Sequence, residues 1–404
     1  LDPDPLLAQP ANPLLAEVLR AGAGWVAAAR GNAMTDSVIA RFSAALVAAG
    51  AHAVEYPSSG KIAAEIAYAR LRPFTLTWIF YIAGGILVAI AMGRKPPAIG
   101  PSGGRRDWWM TIGVALTLLG MAMNIGGLGV RVYITSLGAV TNLYETLVYV
   151  ALLCAGLGLV FARMARNGLY AVAGGVAGGL CAMVGEAIPP DLGSHIGQLQ
   201  PVLRSKFWLW THVKVVVGSY AAFLLAWGLG NLVMARAAWR GRAVDAEETR
   251  MIYRCLQVGV VLIAAGTLLG AVWADKAWGR FWGWDPKEVW ALVILLVYLI
   301  PLHLRYVGVV GPTGLAIWSV LGFLSVVMSW YGVNFLLGTG LHAYAFGNGG
   351  QEWVLSLCAL QVVVTIALTV RLKRYAAAER DLPLPSPGSA ELPPPTPGGH
   401  SSAP

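Results

Sequence analysis

Charged side chains are scarce in this sequence. Asp, Glu, Lys and Arg make up 12% of the 404 residues, whereas hydrophobic residues make up 57%. A typical soluble domain has about 25% charged and about 45–50% apolar residues. The excess of apolar side chains is too large for the core of a water-soluble protein. The shortage of charge therefore excludes an ordinary soluble domain and favours a membrane protein.

Paired cysteines are also lacking. None of the four cysteines forms a CxxC pair, and each lies within an apolar run, which excludes a disulfide framework and a dithiol relay. We interpret Cys154, Cys181, Cys255 and Cys358 as buried small residues. The net charge of +9 is not gathered in one run, because the basic residues lie between the apolar segments. We therefore expect no nucleic-acid partner.

Long apolar runs are abundant. A run of about 20 residues crosses the hydrocarbon core of a bilayer as an α-helix. The sequence thus predicts an all-α polytopic membrane protein with about nine transmembrane helices, and residues 73–373 form its transmembrane domain. The predicted spans lie near residues 74–93, 108–128, 143–162, 168–188, 213–235, 253–273, 288–306, 314–336 and 353–370. Residues 1–72 are predicted to be an extramembrane segment, and residues 374–404, rich in Pro, Ser and Gly, a disordered tail.

Basic residues alternate between loops. They are concentrated in every second loop: Arg94, Lys95, Arg105, Arg106, Arg163, Arg166, Arg236, Arg240, Arg242, Arg250, Arg254, Arg305, Arg371, Lys373, Arg374 and Arg380. Cytoplasmic loops of membrane proteins carry the excess of Lys and Arg. With an odd number of spans, this pattern predicts that residues 1–72 lie outside and that the C-terminus is cytoplasmic.

Five tryptophans fall within residues 273–290, between the sixth and seventh spans on the outer side. One interpretation is an aromatic belt at the membrane interface. The accompanying glycines and charges of both signs favour instead a platform for a flat apolar ligand with anionic groups. Haem has these properties, since indoles stack on its macrocycle and Arg280, Lys276 or Lys287 can pair with its propionates. Residue spacing alone leaves both interpretations open.

The segment Trp278-Gly-Arg-Phe-Trp282-Gly-Trp284-Asp285-Pro-Lys287-Glu288 resembles the WGxxWxWDxKE motif of the haem-handling proteins of cytochrome c biogenesis. The CcmC and CcmF sub-families share this motif with the system II family called CcsA or ResC. Flanking segments resemble the system II family: residues 198–212, Asn142-Leu-Tyr144-Glu145 and Ser219-Tyr220-Ala-Ala-Phe223. The resemblance covers roughly residues 74–372. After Tyr133 the sequence departs from the family pattern, which gives no support for a ligand from that outer loop.

Three of the six histidines are candidate haem ligands. His212 and His342 lie at the outer ends of the fifth and eighth spans, on either side of the tryptophans, whereas His303 lies within the seventh span towards its cytoplasmic end. An isolated interfacial histidine is usually only a polar residue, but the resemblance implies that His212 and His342 are axial haem ligands and that His303 is an intramembrane ligand. We interpret His195 as a solvated loop residue. His52 and His400 are assigned no role.

The resemblance further implies non-covalent haem b on a platform of Trp278, Trp282, Trp284, Asp285, Arg280, Lys287 and Glu288. It implies delivery of haem for attachment to an apocytochrome c with a CxxCH motif, as a component of a cytochrome c synthase, or haem lyase, complex. No catalytic acid or base is assigned, and Asp285 is expected to anchor the loop by hydrogen bonds.

The implied partners are a CcsB or ResB-type membrane subunit and a thiol-reducing thioredoxin-like protein. The second intramembrane histidine is expected either from that subunit or from a segment upstream of this sequence. The implied location is the inner, cytoplasmic membrane of a bacterium, with the haem site facing the periplasm. Two alternative functions stay open: a transporter of another apolar anion, and a haem-dependent membrane electron carrier.

Overall fold

The computed structural model describes residues 13–31, 35–50, 57–94, 107–187, 205–342 and 350–380. Within these ranges the regular structure is helical throughout and contains no β-strand. The helices are α1 (Pro13–Arg30), α2 (Asp36–Gly50), α3 (Ser59–Leu71), α4 (Pro73–Gly93), α5 (Trp108–Thr135), α6 (Leu143–Ala165), α7 (Leu169–Ala187), α8 (Lys206–Trp208), α9 (Lys214–Arg240), α10 (Ala246–Trp278), α11 (Pro286–Tyr306), α12 (Pro312–Val327) and α13 (Gln351–Arg380). Two π-helical segments, π1 (Leu209–Val213) and π2 (Met328–Leu337), precede α9 and extend α12.

The chain divides into two compact units, Leu1–Arg70 and Leu71–Pro404. In the first unit, α1 packs against α2 through the stacked rings of Trp25 and Phe42, whose centroids are 6.0 Å apart. Gly22 permits this contact, because a Cβ at that position would lie 3.3 Å from the Phe42 ring.

Nine helices within the described ranges are long and apolar enough to cross a membrane. They are Ser59–Gly93, Trp108–Thr135, Leu143–Ala165, Leu169–Ala187, Trp210–Arg240, Ala246–Trp278, Pro286–Tyr306, Pro312–Leu337 and Gln351–Tyr375. Each contains most or all of one predicted span, which confirms the prediction of an all-α protein with about nine apolar helices. The side of the membrane on which each terminus lies stays a prediction.

Helix α9 lies at the centre of the second unit. Residues 217–226 are buried without interruption, so this stretch of the helix has no face left for lipid. Phe223 stacks on Tyr298 of α11 with ring centroids 4.0 Å apart. The free thiols of Cys154, Cys181 and Cys255 are buried as predicted, whereas Cys358 is half-buried.

Small residues bring the remaining helices close together. A Cβ at Gly174 in α7 would lie 2.8 Å from Gly158 Cα in α6, so the two backbones are in direct contact. A Cβ at Gly113 in α5 would lie 2.8 Å from Gly84 O in α4. Helices within a bilayer associate through such close van der Waals packing, since lipid gives no hydrophobic driving force between them.

The last helix corrects one predicted boundary. α13 continues to Arg380, beyond residue 374, where the disordered tail was predicted to begin. Residues 374–380 contain three consecutive alanines, which are strong helix formers, and no glycine or proline. Residues 381–404 lie outside the described residues.

Candidate functional site

The tryptophan-rich segment is mostly helical, which corrects the prediction of a loop over residues 273–290. α10 extends to Trp278 and ends at Gly279, whose φ is +67°, and α11 begins at Pro286. Trp273 and Trp278 therefore lie on α10, and Trp290 lies on α11. Only residues 279–285, named here the outer turn, form the non-helical connection.

A capping box shapes the outer turn. Asp285 accepts a hydrogen bond from the Lys287 N–H at 3.0 Å, and Glu288 Oε2 accepts from the N–H groups of Asp285 at 3.1 Å and Gly283 at 2.8 Å. These bonds satisfy amide groups at the start of α11. They also bracket Trp284, whose φ is +57° and whose side chain is 70% exposed. The cap thus holds an energetically unfavourable backbone conformation that presents the Trp284 indole at the surface.

Asp285 also binds the segment that follows π2. Its carboxylate accepts from the Leu341 N–H at 2.5 Å and from His342 Nδ1 at 2.9 Å. Gly340 makes this approach possible, because its φ is +100° and a Cβ there would collide with the carboxylate. Burial raises the pKa of Asp285, but the hydrogen bonds from His342, Lys287 and Leu341 outweigh burial and lower it below the usual value. Asp285 is therefore an ionised carboxylate, and in this form it fixes the orientation of the His342 ring.

His212 lies in π1 and rests against α10. Its Nδ1 is 2.8 Å from the carbonyl oxygen of Gly266. Since a carbonyl only accepts, Nδ1 carries the proton and Nε2 carries the lone pair of the neutral ring. A Cβ at Gly270, one turn further along α10, would collide with the His212 imidazole. Gly270 is thus required for this position of the ring.

The same reasoning applies to His342. Its Nδ1 donates to the carboxylate of Asp285, which leaves Nε2 as the nitrogen with the lone pair when the ring is neutral. A ring nitrogen held by a carboxylate or a backbone carbonyl is the usual arrangement of a histidine that ligates a metal through its other nitrogen.

Two indoles bridge the two histidines. His212 contacts Trp273 with ring centroids 5.7 Å apart, Trp273 stacks on Trp278 at 6.3 Å, and Trp278 meets His342 edge-on at 5.0 Å. Trp208 stacks on the other side of Trp273 at 6.4 Å. We call these five residues the outer cluster. Of the predicted site residues, it contains His212, His342 and Trp278.

The other predicted tryptophans form a separate pair, Trp282 and Trp284, whose rings meet edge-on at 5.8 Å. Sequence reasoning did not assign Trp208 or Trp273 to the site. The segment that ends in Trp208-Leu-Trp-Thr-His212 carried the available signal for Trp208, because it places an indole one helical turn before the histidine.

Two of the three predicted propionate partners, Arg280 and Lys287, make different contacts. Arg280 Nη1 pairs with Glu288 Oε1 at 3.2 Å, and its guanidinium lies 5.9 Å from the Trp278 ring centroid. Lys287 Nζ donates to the carbonyl oxygens of Ser329 at 2.8 Å and Trp330 at 3.4 Å, because the first turn of α11 packs against π2. The assignment of Lys287 to the haem platform stays a prediction.

The connection between α5 and α6 packs against the outer cluster. Arg131 and Glu145 form a buried ion pair at 2.7 Å, and Glu145 also accepts from the Thr141 N–H at 2.9 Å. Asn142 caps the start of α6 by accepting from the Glu145 N–H. Leu137, in the same connection, packs against Trp208 and Trp273.

His303 lies apart from these residues. It is 18 positions along the chain from Asp285, which is about 27 Å at 1.5 Å per helical residue. The ring is exposed, and its Nδ1 is 2.8 Å from the carbonyl oxygen of Leu299. Pro301 removes one hydrogen bond from this turn, and the Trp318 indole donates to the freed Val297 oxygen at 2.8 Å.

In the described part of the chain, no group of three or more His, Cys, Asp or Glu is placed to hold a metal ion.

Comparison with known proteins agrees with this architecture. Residues 140–342 match the family described as Cytochrome C assembly protein. The cytochrome c biogenesis protein CcsA of Prochlorococcus marinus is 31% identical over 242 residues, which are 51% of this chain and 76% of that protein. The CcsA of a Synechococcus strain is 34% identical over 239 residues, 51% of this chain and 78% of that protein. Protein NrfI of Wolinella succinogenes is 31% identical over 307 residues, 72% of this chain but only 32% of NrfI.

Proposed function

Because the chain belongs to the cytochrome c assembly family of CcsA-type biogenesis proteins, we propose that it binds haem b at the outer cluster and presents it to apocytochrome c. One observation carries this proposal: His212 in π1 and His342 in the turn after π2 both have Nδ1 engaged and are bridged by Trp273 and Trp278. The family establishes a role in cytochrome c biogenesis in the membrane. The ligand, its site and the partners are our proposal.

The residues of the outer cluster suit haem. Haem iron takes two axial imidazoles, and each histidine has its Nε2 lone pair fixed by a hydrogen bond at the opposite nitrogen. Indole faces provide apolar contact for a macrocycle. Arg280 lies beside Trp278 and is the cation that we assign to a propionate. Trp284 is 70% exposed and, paired with Trp282, presents a second aromatic surface.

The chain contributes positioning to the attachment reaction. Bound haem supplies the vinyl groups to which the two thiols of a CxxCH motif add. Holding two reactants in a productive orientation lowers a barrier by several kcal/mol without an acid or base on the protein. Asp285, whose contacts are all structural, orients His342 in this scheme. We assign no proton transfer to it.

We assign His303 to a second, intramembrane site. Its ring is exposed on α11 and its Nδ1 is held by Leu299 O, so the ring faces outward from this chain. A second ligand then comes from a partner, which we infer to be a CcsB or ResB-type subunit. Haem passes from this site to the outer cluster, and a thioredoxin-like protein keeps the apocytochrome thiols reduced. We assign the outer cluster to the periplasmic side of the inner membrane of a bacterium, and the alternation of basic residues between loops supports this assignment.

The proposal is tested by the visible absorption spectrum of the purified full chain, alone and with its partner subunit. We expect the spectrum of non-covalent, six-coordinate b-type haem that organic solvent extracts. His212→Ala and His342→Ala each convert the spectrum to a five-coordinate or mixed form. If almost no haem can be extracted from the chain purified with its partner, the proposal is wrong. Normal six-coordinate spectra in both single variants would instead favour an electron carrier with other ligands.

A further inference from the structure

The outer half of the eighth span departs from α-helical geometry. α12 ends at Val327, and the chain continues as a π-helix through Leu337. π-Helices are rare and normally last a single turn. A π-helix of ten residues therefore needs stabilising contacts from outside its own backbone.

Lys287 provides the strongest of these contacts. Its ammonium donates to two successive carbonyl oxygens at the start of π2, those of Ser329 at 2.8 Å and Trp330 at 3.4 Å. Asn334 Nδ2 also donates to Trp330 O, at 3.2 Å. From α9, the Tyr220 hydroxyl hydrogen-bonds the Ser329 hydroxyl at 3.2 Å. The first turn of π2 is thus held from α11 and α9.

The start of α11 holds both ends of π2. Lys287 binds its first turn, and Asp285, two residues earlier, binds Leu341 and His342 just beyond its last turn. A π-helix pairs residue i with i+5, whereas an α-helix pairs i with i+4. Reversion of one turn to α geometry would shift the following residues by one position, which is about 100° of rotation and about 1.5 Å of rise. His342 would then no longer meet Asp285.

We propose that Lys287 is a positioning residue for His342: its ammonium maintains π2 and thereby the register in which the His342 ring meets Asp285. The consequence for haem ligation rests on the proposed function, whereas the effect on the backbone does not. Lys287 acts through main-chain carbonyls and not through contact with a haem propionate.

The backbone effect is measured by hydrogen–deuterium exchange on the haem-free full chain in nanodiscs. Lys287→Met removes the donor and keeps the side-chain length. We expect the amides of residues 338–342 to exchange about tenfold faster, the factor that corresponds to losing one charge-assisted hydrogen bond. Lys373→Met removes an exposed charge from α13 and should leave this exchange unchanged. Lys287→Arg keeps a charged donor and should retain slow exchange.

Haem-loaded protein gives the second measurement. The spectrum of Lys287→Met should resemble that of His342→Ala, and added imidazole should restore six-coordination because only the ligand has been displaced. Unchanged exchange in Lys287→Met overturns the proposal, and so does fast exchange in Lys287→Arg. Lower haem content with normal exchange also overturns it, since that result indicates a propionate contact. Absence of haem from the wild-type protein counts against the proposed function alone, because the exchange measurement requires no haem.

Discussion

Two histidines with different surroundings have the same ring nitrogen, Nδ1, held by a hydrogen bond. His212 donates to a backbone carbonyl on α10, and His342 donates to a carboxylate on the outer turn. A carbonyl and a carboxylate are both acceptors, so each fixes the proton on Nδ1. The two rings are consequently oriented by parts of the chain that are themselves held by helix caps and close packing. Such supporting contacts commonly alter metal affinity by about 10–100-fold when they are removed.

We predict that His212→Ala or His342→Ala abolishes cytochrome c maturation and that imidazole added during growth restores part of it. The substitution removes only an axial ligand, and free imidazole occupies the vacated coordination position. Maturation is measured by haem staining of a co-expressed reporter cytochrome. His195→Ala is the control and should mature the reporter normally. Full maturation in both ligand variants would exclude these residues as ligands.

At the scale of helices, close packing decides where the His212 ring lies. Gly266 provides the carbonyl that accepts from the ring, and Gly270 provides the space beside it. Both glycines lie on α10, one turn apart, so a single face of this helix contacts the imidazole.

We predict that Gly270→Ala displaces the His212 ring and changes the haem spectrum without unfolding the protein. Alanine is favoured over glycine within a helix by about 1 kcal/mol, so α10 itself should not be weakened by the substitution. The matched control is Gly129→Ala in α5, where an added Cβ meets no atom within 4 Å. The two variants are compared by absorption spectrum and by thermal unfolding. A six-coordinate, wild-type spectrum in Gly270→Ala contradicts the packing argument.

The sequence predicts the existence and position of the helices well, because a run of about 20 apolar residues is a local property. It does not predict how far α10 continues, since residues 274–278 carry charges yet keep their helical conformation through contacts of Trp273 and Trp278. The sequence also does not predict that Lys287 donates to the backbone of π2. That side chain follows the packing of α11 against π2, and no local pattern in residues 328–337 indicates a π-helix.

At the scale of the whole chain, the proposed haem ligands lie near opposite ends of one helix. α11 begins beside Asp285, which holds His342, and carries His303 in its last turns. We therefore expect a substitution at His303 to leave the contact between Asp285 and His342 intact. Mutations can then separate the supply of haem from its retention at the outer cluster.

We predict that His303→Ala lowers the amount of haem per protein while the remaining haem keeps a wild-type spectrum. The intramembrane site has lost a ligand, whereas the outer cluster is unchanged. His212→Ala should have the opposite effect, with haem present but altered in its spectrum. Both variants are co-expressed with the partner subunit, and haem is quantified after extraction. Normal haem content and normal maturation in His303→Ala would show that haem reaches the outer cluster by another route.

The length of α10 determines how deep each aromatic ring lies. Between Arg254 and Asp275 the helix has 20 uncharged residues, about 30 Å at 1.5 Å per residue, which equals the thickness of the hydrocarbon layer. If these residues span the hydrocarbon layer, Trp273 lies at its boundary and Trp278 lies about 7.5 Å further along the helix axis, among the lipid headgroups. His212 touches the deeper indole and His342 the shallower one. If haem binds at the outer cluster as proposed, this gradient of polarity would orient it with its apolar edge towards the hydrocarbon layer and its propionates towards water.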